Sequence, residues 1–328
     1  MSTSRRQFFH VTAGGLVATA SGVATLPRPV RAQGPTVKIG TAVLGDFSLV
    51  APIVVAIEKG YFRAQGVTAE FQPMRGGPDL VKSVVAGQLQ IGATGATDVP
   101  VFRATGVPIR YVASQVDGNH FTLNVAPTIR ALADLKGKSI GVTRVGATTW
   151  VFAMMLAKQQ GWTPEKDLTV VGLGGLDAQL AALARGETAG YIWGDGGAVT
   201  ELQGKSKILL RLDSVTPKWI SQAYYATDDY IKGNKETIAK TLKALFQGAR
   251  FINESPKDAA AIASKTLQWP EDAVLRAQKI SGPLLSKDGV LSVEALETMQ
   301  TTLLEYKAQE KRVPTADLYT AEFTPVRL

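Results

Sequence analysis

"VKIGTAVLGDFSLVAPIVVAIEKGYF" (residues 37–62) and "KSIGVTRVGATTWVFAMMLAKQQGW" (residues 138–162) share one plan. Each runs from a Val/Ile-rich strand through a glycine and a polar loop into a helix of apolar periodicity, and ends on Gly-aromatic: Gly60-Tyr61 in the first, Gly161-Trp162 in the second. The interval from Gly40 to Gly60 equals that from Gly141 to Gly161. Each later glycine suits the left-handed position that closes a helix, where a side chain would cost energy. The next unit recurs too. "LVKSVVAGQLQIGATGATDVP" (residues 80–100) carries Gly87 and Gly95, and "LAALARGETAGYIWGDGGAV" (residues 180–199) carries Gly186 and Gly194 at the same separation. Matched intervals in one order indicate an internal repeat, hence two similar α/β lobes.

Short strands alternate with helices in both lobes, the pattern of a parallel or mixed sheet covered on its two faces. "VASQVDGNHFTLNVAP" (residues 112–127) and "LDSVTPKWISQAYYATDD" (residues 212–229) are candidate hinge crossings. From Lys235 onward the chain turns helical, with Pro256 and Pro270 at helix starts. The expected division is residues 33–113 with 226–328 as lobe one and residues 114–225 as lobe two.

Ahead of them, residues 1–32 pair Arg5 and Arg6 with a mild apolar stretch and end "VRA" at Ala32, the form of an export signal cleaved near that residue. The S-R-R-x-F-F spelling resembles a twin-arginine signal. That segment holds four arginines and no acid, so its removal halves the formal charge of +8. The remaining Lys and Arg are scattered among acids without a basic stripe, so nucleic acid is not an expected partner. There is no cysteine. Disulfides, thiolate metal sites, thiol nucleophiles and a lipid-modified cysteine tether are therefore excluded. The expected location is the periplasm.

The residues bear on two sharper readings. "LTVVGLGGLDAQLAAL" (residues 168–183) followed by Asp195 fits a dinucleotide fingerprint loosely, but Asp177 stands where a small residue should pack helix on strand. Asp177 reads instead as a cap for the helix that follows. Past residue 32, His120 is the one histidine, which disfavours a histidine metal site or a Ser-His-Asp triad. No metal and no cofactor is expected. Paired-carboxylate hydrolysis stays open, because Asp46, Asp98 and Asp195 all fall in loops after strands.

Binding is the better supported reading. In open α/β sheets ligands sit beyond the carboxyl ends of the strands, where loops enter helix starts. Four such loops are legible: residues 43–49, 93–98, 143–150 and 193–197, rich in Gly, Ser, Thr and Asp. Free N–H groups at helix starts favour an anion, and two lobes presenting such loops make a cleft able to close on a solute.

The stretches 51–71, 76–113, 132–162 and 181–199, with "EKGYFRAQGV" and "DLKGKSIGV" as their most specific parts, resemble the periplasmic solute-binding proteins of ABC importers for nitrate, sulfonates and taurine. That group also includes thiamine-precursor binders. The resemblance implies a two-lobed type II periplasmic binding protein fold, with a hinge and a helical C-terminal tail. It further implies a monomer that captures a small organic solute and hands it to a membrane permease with its ATPase. By motif position, Asp46, Phe47 and Ser48, then Thr94, Thr97 and Asp98, match first-lobe pocket loops. Thr148 and Thr149 match hydroxyls at a helix start that hold a sulfonate or carboxylate in similar proteins, and Trp193 with Asp195 match the opposite wall. Asn119 and His120 join the candidate set from the crossing. Where the family usually has an acidic pair, Ala189 and Gly190 stand. An aminosulfonate or an aromatic acid flanked by Trp193 and Phe47 would suit these loops, with Asp195 reading the donor end. The alternative is an exported enzyme on the same kind of fold, an oxidoreductase or a relative of the pyrimidine synthases.

Overall fold

A computed structural model describes residues 34–328 apart from Pro217; the expected signal segment lies outside the described residues. Among the described residues, ten strands form two five-stranded sheets. Their bounds are β1 Thr36–Thr41, β2 Thr68–Pro73, β3 Ile91–Gly95, β4 Ile109–Asp117, β5 Thr122–Val125, β6 Lys138–Val142, β7 Leu168–Gly172, β8 Gly190–Trp193, β9 Lys207–Arg211 and β10 Ile220–Thr227.

The repeat is visible in the strand order. One sheet runs β2-β1-β3-β10-β4 and the other β7-β6-β8-β5-β9. In each, a strand–helix–strand–helix–strand run lays three parallel strands with its first strand in the middle. The fourth place is then taken by an antiparallel strand lying just beyond a crossing, β10 beside β3 and β5 beside β8. Gly60 and Gly161, read as helix closers, have φ 71° and 70°, and Gly87 and Gly186, at matched places in the next unit, both have φ 72°. Side chains are strained there, which is why glycine recurs at matched positions.

Two segments join the sheets, residues 118–121 after β4 and residues 212–219 before β10. The expected lobe limits at 113/114 and 225/226 fall inside β4 and β10, because both crossing stretches begin or end as regular strand of the first sheet. The crossings are tied together. Gly118 N–H donates to the Trp219 carbonyl (2.7 Å), and the Asn119 amide donates to the Leu212 carbonyl (3.2 Å) and Thr216 Oγ1 (2.5 Å).

Helices Lys235–Glu254 and Pro256–Leu267 pack against helix Phe47–Glu58, and Glu271–Ser281 packs against Gly196–Leu202, with Pro256 and Pro270 at the starts of the last two of the three. Lys235–Glu254 crosses Phe47–Glu58 closely. A Cβ on Gly248 would overlap the Pro52 carbonyl, so glycine permits the approach. Pro52 sits inside Phe47–Glu58 and has no N–H for the Ser48 carbonyl. The Gln115 amide donates to that carbonyl instead, at 2.8 Å. The helix therefore keeps its course, and its N-terminus stays aimed at the seam between the lobes. Among the described residues no helix is long and apolar enough to cross a membrane.

Candidate functional site

A cavity lies between the lobes. Lobe one contributes Asp46, Leu49, Thr94, Asp98 and Gln222, and lobe two contributes Phe121, Ala147, Thr148, Thr149 and Trp193. It is formed by the four loops that follow strands, as the sheet geometry requires.

Its polar ends differ in sign. On the lobe-two side stands the start of helix Thr148–Gln159, whose N-cap is Ala147 and therefore supplies no side-chain acceptor. The Thr149 hydroxyl is engaged with Thr143, accepting its N–H at 3.0 Å, and the Thr148 hydroxyl shares a hydrogen bond with Thr97 across the lobes at 2.6 Å. Backbone N–H groups of the first turn have no side-chain acceptor among the described residues, and such an end carries partial positive charge. On the lobe-one side stands Asp98. It is buried, and one of its oxygens accepts from the Thr94 hydroxyl at 2.5 Å. Burial outweighs that bond and pushes its pKa up to about 6. Gly77 makes room for the carboxyl, since a Cβ there would overlap it. The lining includes no Lys, Arg or His among the described residues. Arg144 is spent elsewhere, in a half-exposed ion pair with Asp79 at 2.9 Å.

Next to the cavity is a buried cluster at the seam. Asp195 is wholly buried, and its two oxygens accept the N–H groups of Phe47 (2.8 Å) and Ser48 (2.9 Å). Those donors open helix Phe47–Glu58 in the other lobe. Asp46, the N-cap of that helix, accepts from Leu49 N–H (3.2 Å), the Ser48 hydroxyl (2.8 Å) and the Gln222 amide (3.1 Å). His120 Nε2 lies 3.3 Å from the second Asp46 oxygen. Burial raises the Asp46 pKa, but the His120 charge and the hydrogen bonds from His120, Gln222 and Ser48 outweigh it and hold it low. Burial lowers the His120 pKa, and the charges of Asp46 and Asp195 reverse that. Asp195 is pushed up to about 7, by burial first and the Asp46 charge second. Three such ligand atoms lie close enough to share a cation. The donor set does not fit one: both Asp195 oxygens and one Asp46 oxygen already face N–H or O–H hydrogens.

The glycines around Asp195 serve this seam. None of Gly194, Gly196 and Gly197 has positive φ. A Cβ on Gly194 would overlap Asp46 and His120, and one on Gly196 would meet the Gly45 carbonyl at 2.8 Å. Trp193 Nε1–H donates to that same carbonyl at 2.7 Å. Close approach of the lobes accounts for Gly194 and Gly196, whereas a Cβ on Gly197 would overlap Asn124 and Thr122 of β5 in its own lobe.

With the geometry in hand, similarity to known proteins can be placed on it. The family described as NMT1/THI5 like matches residues 48–259, a span that includes both crossings and strands of both sheets. The chain belongs to that family. A Brucella abortus protein named as a binding protein is 21% identical over 82% of this chain and 82% of its own length. A Saccharomyces cerevisiae protein named as a 4-amino-5-hydroxymethyl-2-methylpyrimidine phosphate synthase is 25% identical, over 62% of this chain and 64% of its own. Among solved structures, the alkanesulfonate-binding protein SsuA from Xanthomonas axonopodis, bound to MOPS, superposes with a TM-score of 0.75 at 19% identity, covering 87% of this chain and 98% of that one. The two-lobed periplasmic binding protein fold is thereby shown.

Six of the twelve sequence candidates line the cavity: Asp46, Thr94, Asp98, Thr148, Thr149 and Trp193. Thr97 bonds to Thr148 behind it. Phe47 and Ser48 act through backbone N–H groups that Asp195 accepts, and Phe121 rather than Phe47 joins Trp193 on the wall. Asn119 clamps the crossings, and His120 pairs with Asp46. Asp195 does not face the cavity, because its carboxyl is turned into the other lobe's helix start. Asp177, read as a cap, stands exposed in the first turn of Leu176–Ala184 and makes no capping bond; Gly175 holds the cap position. Gln222 and Phe121 were missed. Both lie at the crossings, so the loop-after-strand rule had no reason to find them.

Proposed function

We propose that the chain is the substrate-binding component of an ABC importer, acting in the periplasm. It captures one small organic solute between the lobes and delivers it, as a monomer, to a permease with its ATPase. The observation that supports this best is the cavity itself, built from matched strand-end loops of two repeated lobes and carrying polar groups of opposite character at its two ends.

The solute we infer is an aminosulfonate, with an aromatic acid as the second choice. The uncapped start of Thr148–Gln159 with the Thr148 hydroxyl suits an acidic group, and Asp98 suits an amine or other donor. Trp193 and Phe121 supply flat apolar walls. A thermal-shift panel of aminosulfonates, sulfonates, aromatic acids and pyrimidines on the protein lacking residues 1–32 tests the reading. One class is expected to raise the melting temperature at micromolar concentration without turnover. No shift with any class overturns it.

The enzyme reading draws on the yeast relatives named as synthases. It would need reactive groups in the cavity, whose lining holds no histidine, lysine or cysteine among the described residues. Turnover of any pyrimidine in the same panel would decide for it.

A further inference from the structure

Asp195 occupies a place no helix cap normally has. It stands at the N-cap of its own helix, Gly196–Leu202, yet makes no capping bond there. Its carboxylate oxygens instead take the first two N–H groups of Phe47–Glu58, a helix of the opposite lobe, while Asp46 takes the third. Trp193 binds the Gly45 carbonyl beside it, and Gly194 and Gly196 are two positions of this loop where a side chain would collide with the 45–46 segment. Apart from the Asp46 cap, each of these contacts joins a residue of the 193–197 loop to the segment 45–48 or its partner His120.

Opening the cleft would withdraw the 193–197 loop from the start of Phe47–Glu58. Two N–H groups would lose their carboxyl acceptors and Trp193 its carbonyl partner. The same loop in a binding protein would ordinarily be assigned to the ligand, but here its acid is already fully committed within the protein.

We propose that Asp195 is a closure latch: a positioning residue that holds the lobes together by capping the other lobe's helix, and so sets how tightly any ligand is retained without touching the ligand. This inference rests on the binding reading above only for its link to ligand retention. The latch itself concerns the lobes.

Two variants separate the possibilities. Asp195→Asn keeps the shape but puts an amide N–H against one of the two backbone donors. Gly194→Ala leaves the charges intact and places a methyl against Asp46 and His120, so it obstructs the closed arrangement alone. Circular dichroism first establishes that both are folded. Small-angle X-ray scattering without ligand is then expected to give a larger radius of gyration for both variants than for the unaltered protein, and Trp fluorescence is expected to shift as Trp193 loses the Gly45 carbonyl. Affinities for taurine, ethanesulfonate and benzoate are expected to fall by one shared factor, roughly ten- to a hundredfold.

An unchanged radius of gyration in both variants overturns the latch. So does a loss confined to taurine, which would make Asp195 a reader of the amine. If none of the three probes binds the unaltered protein but the variants still open, the latch stands and the solute assignment fails.

Discussion

Helices Phe47–Glu58 and Thr148–Gln159 hold the same place in the two repeats, each following the first strand of its parallel trio, and both begin at the seam between lobes. Their first turns are treated in opposite ways. The lobe-one helix has Asp46 as N-cap and Asp195 from across the seam, so three N–H groups meet carboxylate oxygens. The lobe-two helix has Ala147 at the corresponding position and no acid in its first turn. Equivalent ends of positive character therefore do different work. One is saturated by protein carboxylates and closes the molecule, and the other is left facing the cavity, where an acidic solute would find it. The repeat presents two such ends, and only one of them has acids beside it.

The comparison is broken most severely by making the ends alike. Ala147 has extended backbone angles, φ −77° and ψ 168°, which suit an N-cap acid. Ala147→Asp should stabilise the unliganded protein by about 1 kcal/mol, the usual worth of a cap. The same carboxylate would occupy the position assigned to the solute's acidic group. Affinity for taurine, measured by titration calorimetry, is expected to fall about a hundredfold, an effect of a few kcal/mol typical of charged hydrogen bonds. Retained affinity with a raised melting temperature would show that the open end is not where the solute binds.

Acid–base behaviour sharpens the contrast, because titratable groups crowd the closed end. Asp195 there faces Asp46 and His120, Arg211 of β9 acts at longer range on His120, and Ser281 of the C-terminal helices has a lowering influence on Asp195. In the folded chain Asp195 titrates near 7, above the ordinary carboxylate value of about 3.9 in an unfolded chain. His120 is raised as well. A group raised on folding binds more protons in the folded state, so its contribution is present below its unfolded pKa and is lost as pH rises through the folded one. Both shifts act in the same direction. Denaturant unfolding should show the protein more stable at pH 5.5 than at pH 8, by roughly 2 kcal/mol. Asp98, at about 6, adds to the lower part of that window. Asp195→Asn should remove most of the difference, and an unaltered pH dependence in that variant would move its origin elsewhere.

Where sequence reading succeeded and where it stopped follows from the range over which each signal acts. Gly60 and Gly161, or Gly87 and Gly186, mark local backbone geometry, and a left-handed residue after a helix is legible from its neighbours alone. Two lobes and the four cavity loops followed from that local regularity. The role of Asp195 was not legible, since its partners are 147 and 148 positions away in sequence and the contact involves backbone N–H groups that carry no residue-type signature. The glycines beside it gave no sign of that role either: a glycine kept for close approach and one kept for φ are the same letter. Gln222 and Phe121 lie where the chain crosses between sheets, and their place at the cavity depends on which strands neighbour one another. Asn119 and His120 were picked for their chemistry, and the structure spends that chemistry on the crossing and on Asp46.

The smallest expected effect concerns the neutral bond beside the charged ones. Trp193 is nearly fully buried and lines the cavity with its ring while its Nε1–H donates to Gly45 across the seam. Trp193→Phe keeps an aromatic wall but leaves that carbonyl without its donor and removes part of the packed surface. A neutral hydrogen bond of this kind contributes about 1 kcal/mol, so affinity for taurine should weaken about fivefold. If the cavity wall alone mattered, the loss would depend on the solute and be greatest for benzoate, whose ring would stack on the indole. A loss equal for taurine and benzoate would assign Trp193 chiefly to closing, alongside Asp195. Combining Trp193→Phe with Asp195→Asn then measures the coupling between them: contacts that form in one closing motion should be less than additive, because once the lobes are open the second bond has nothing left to lose.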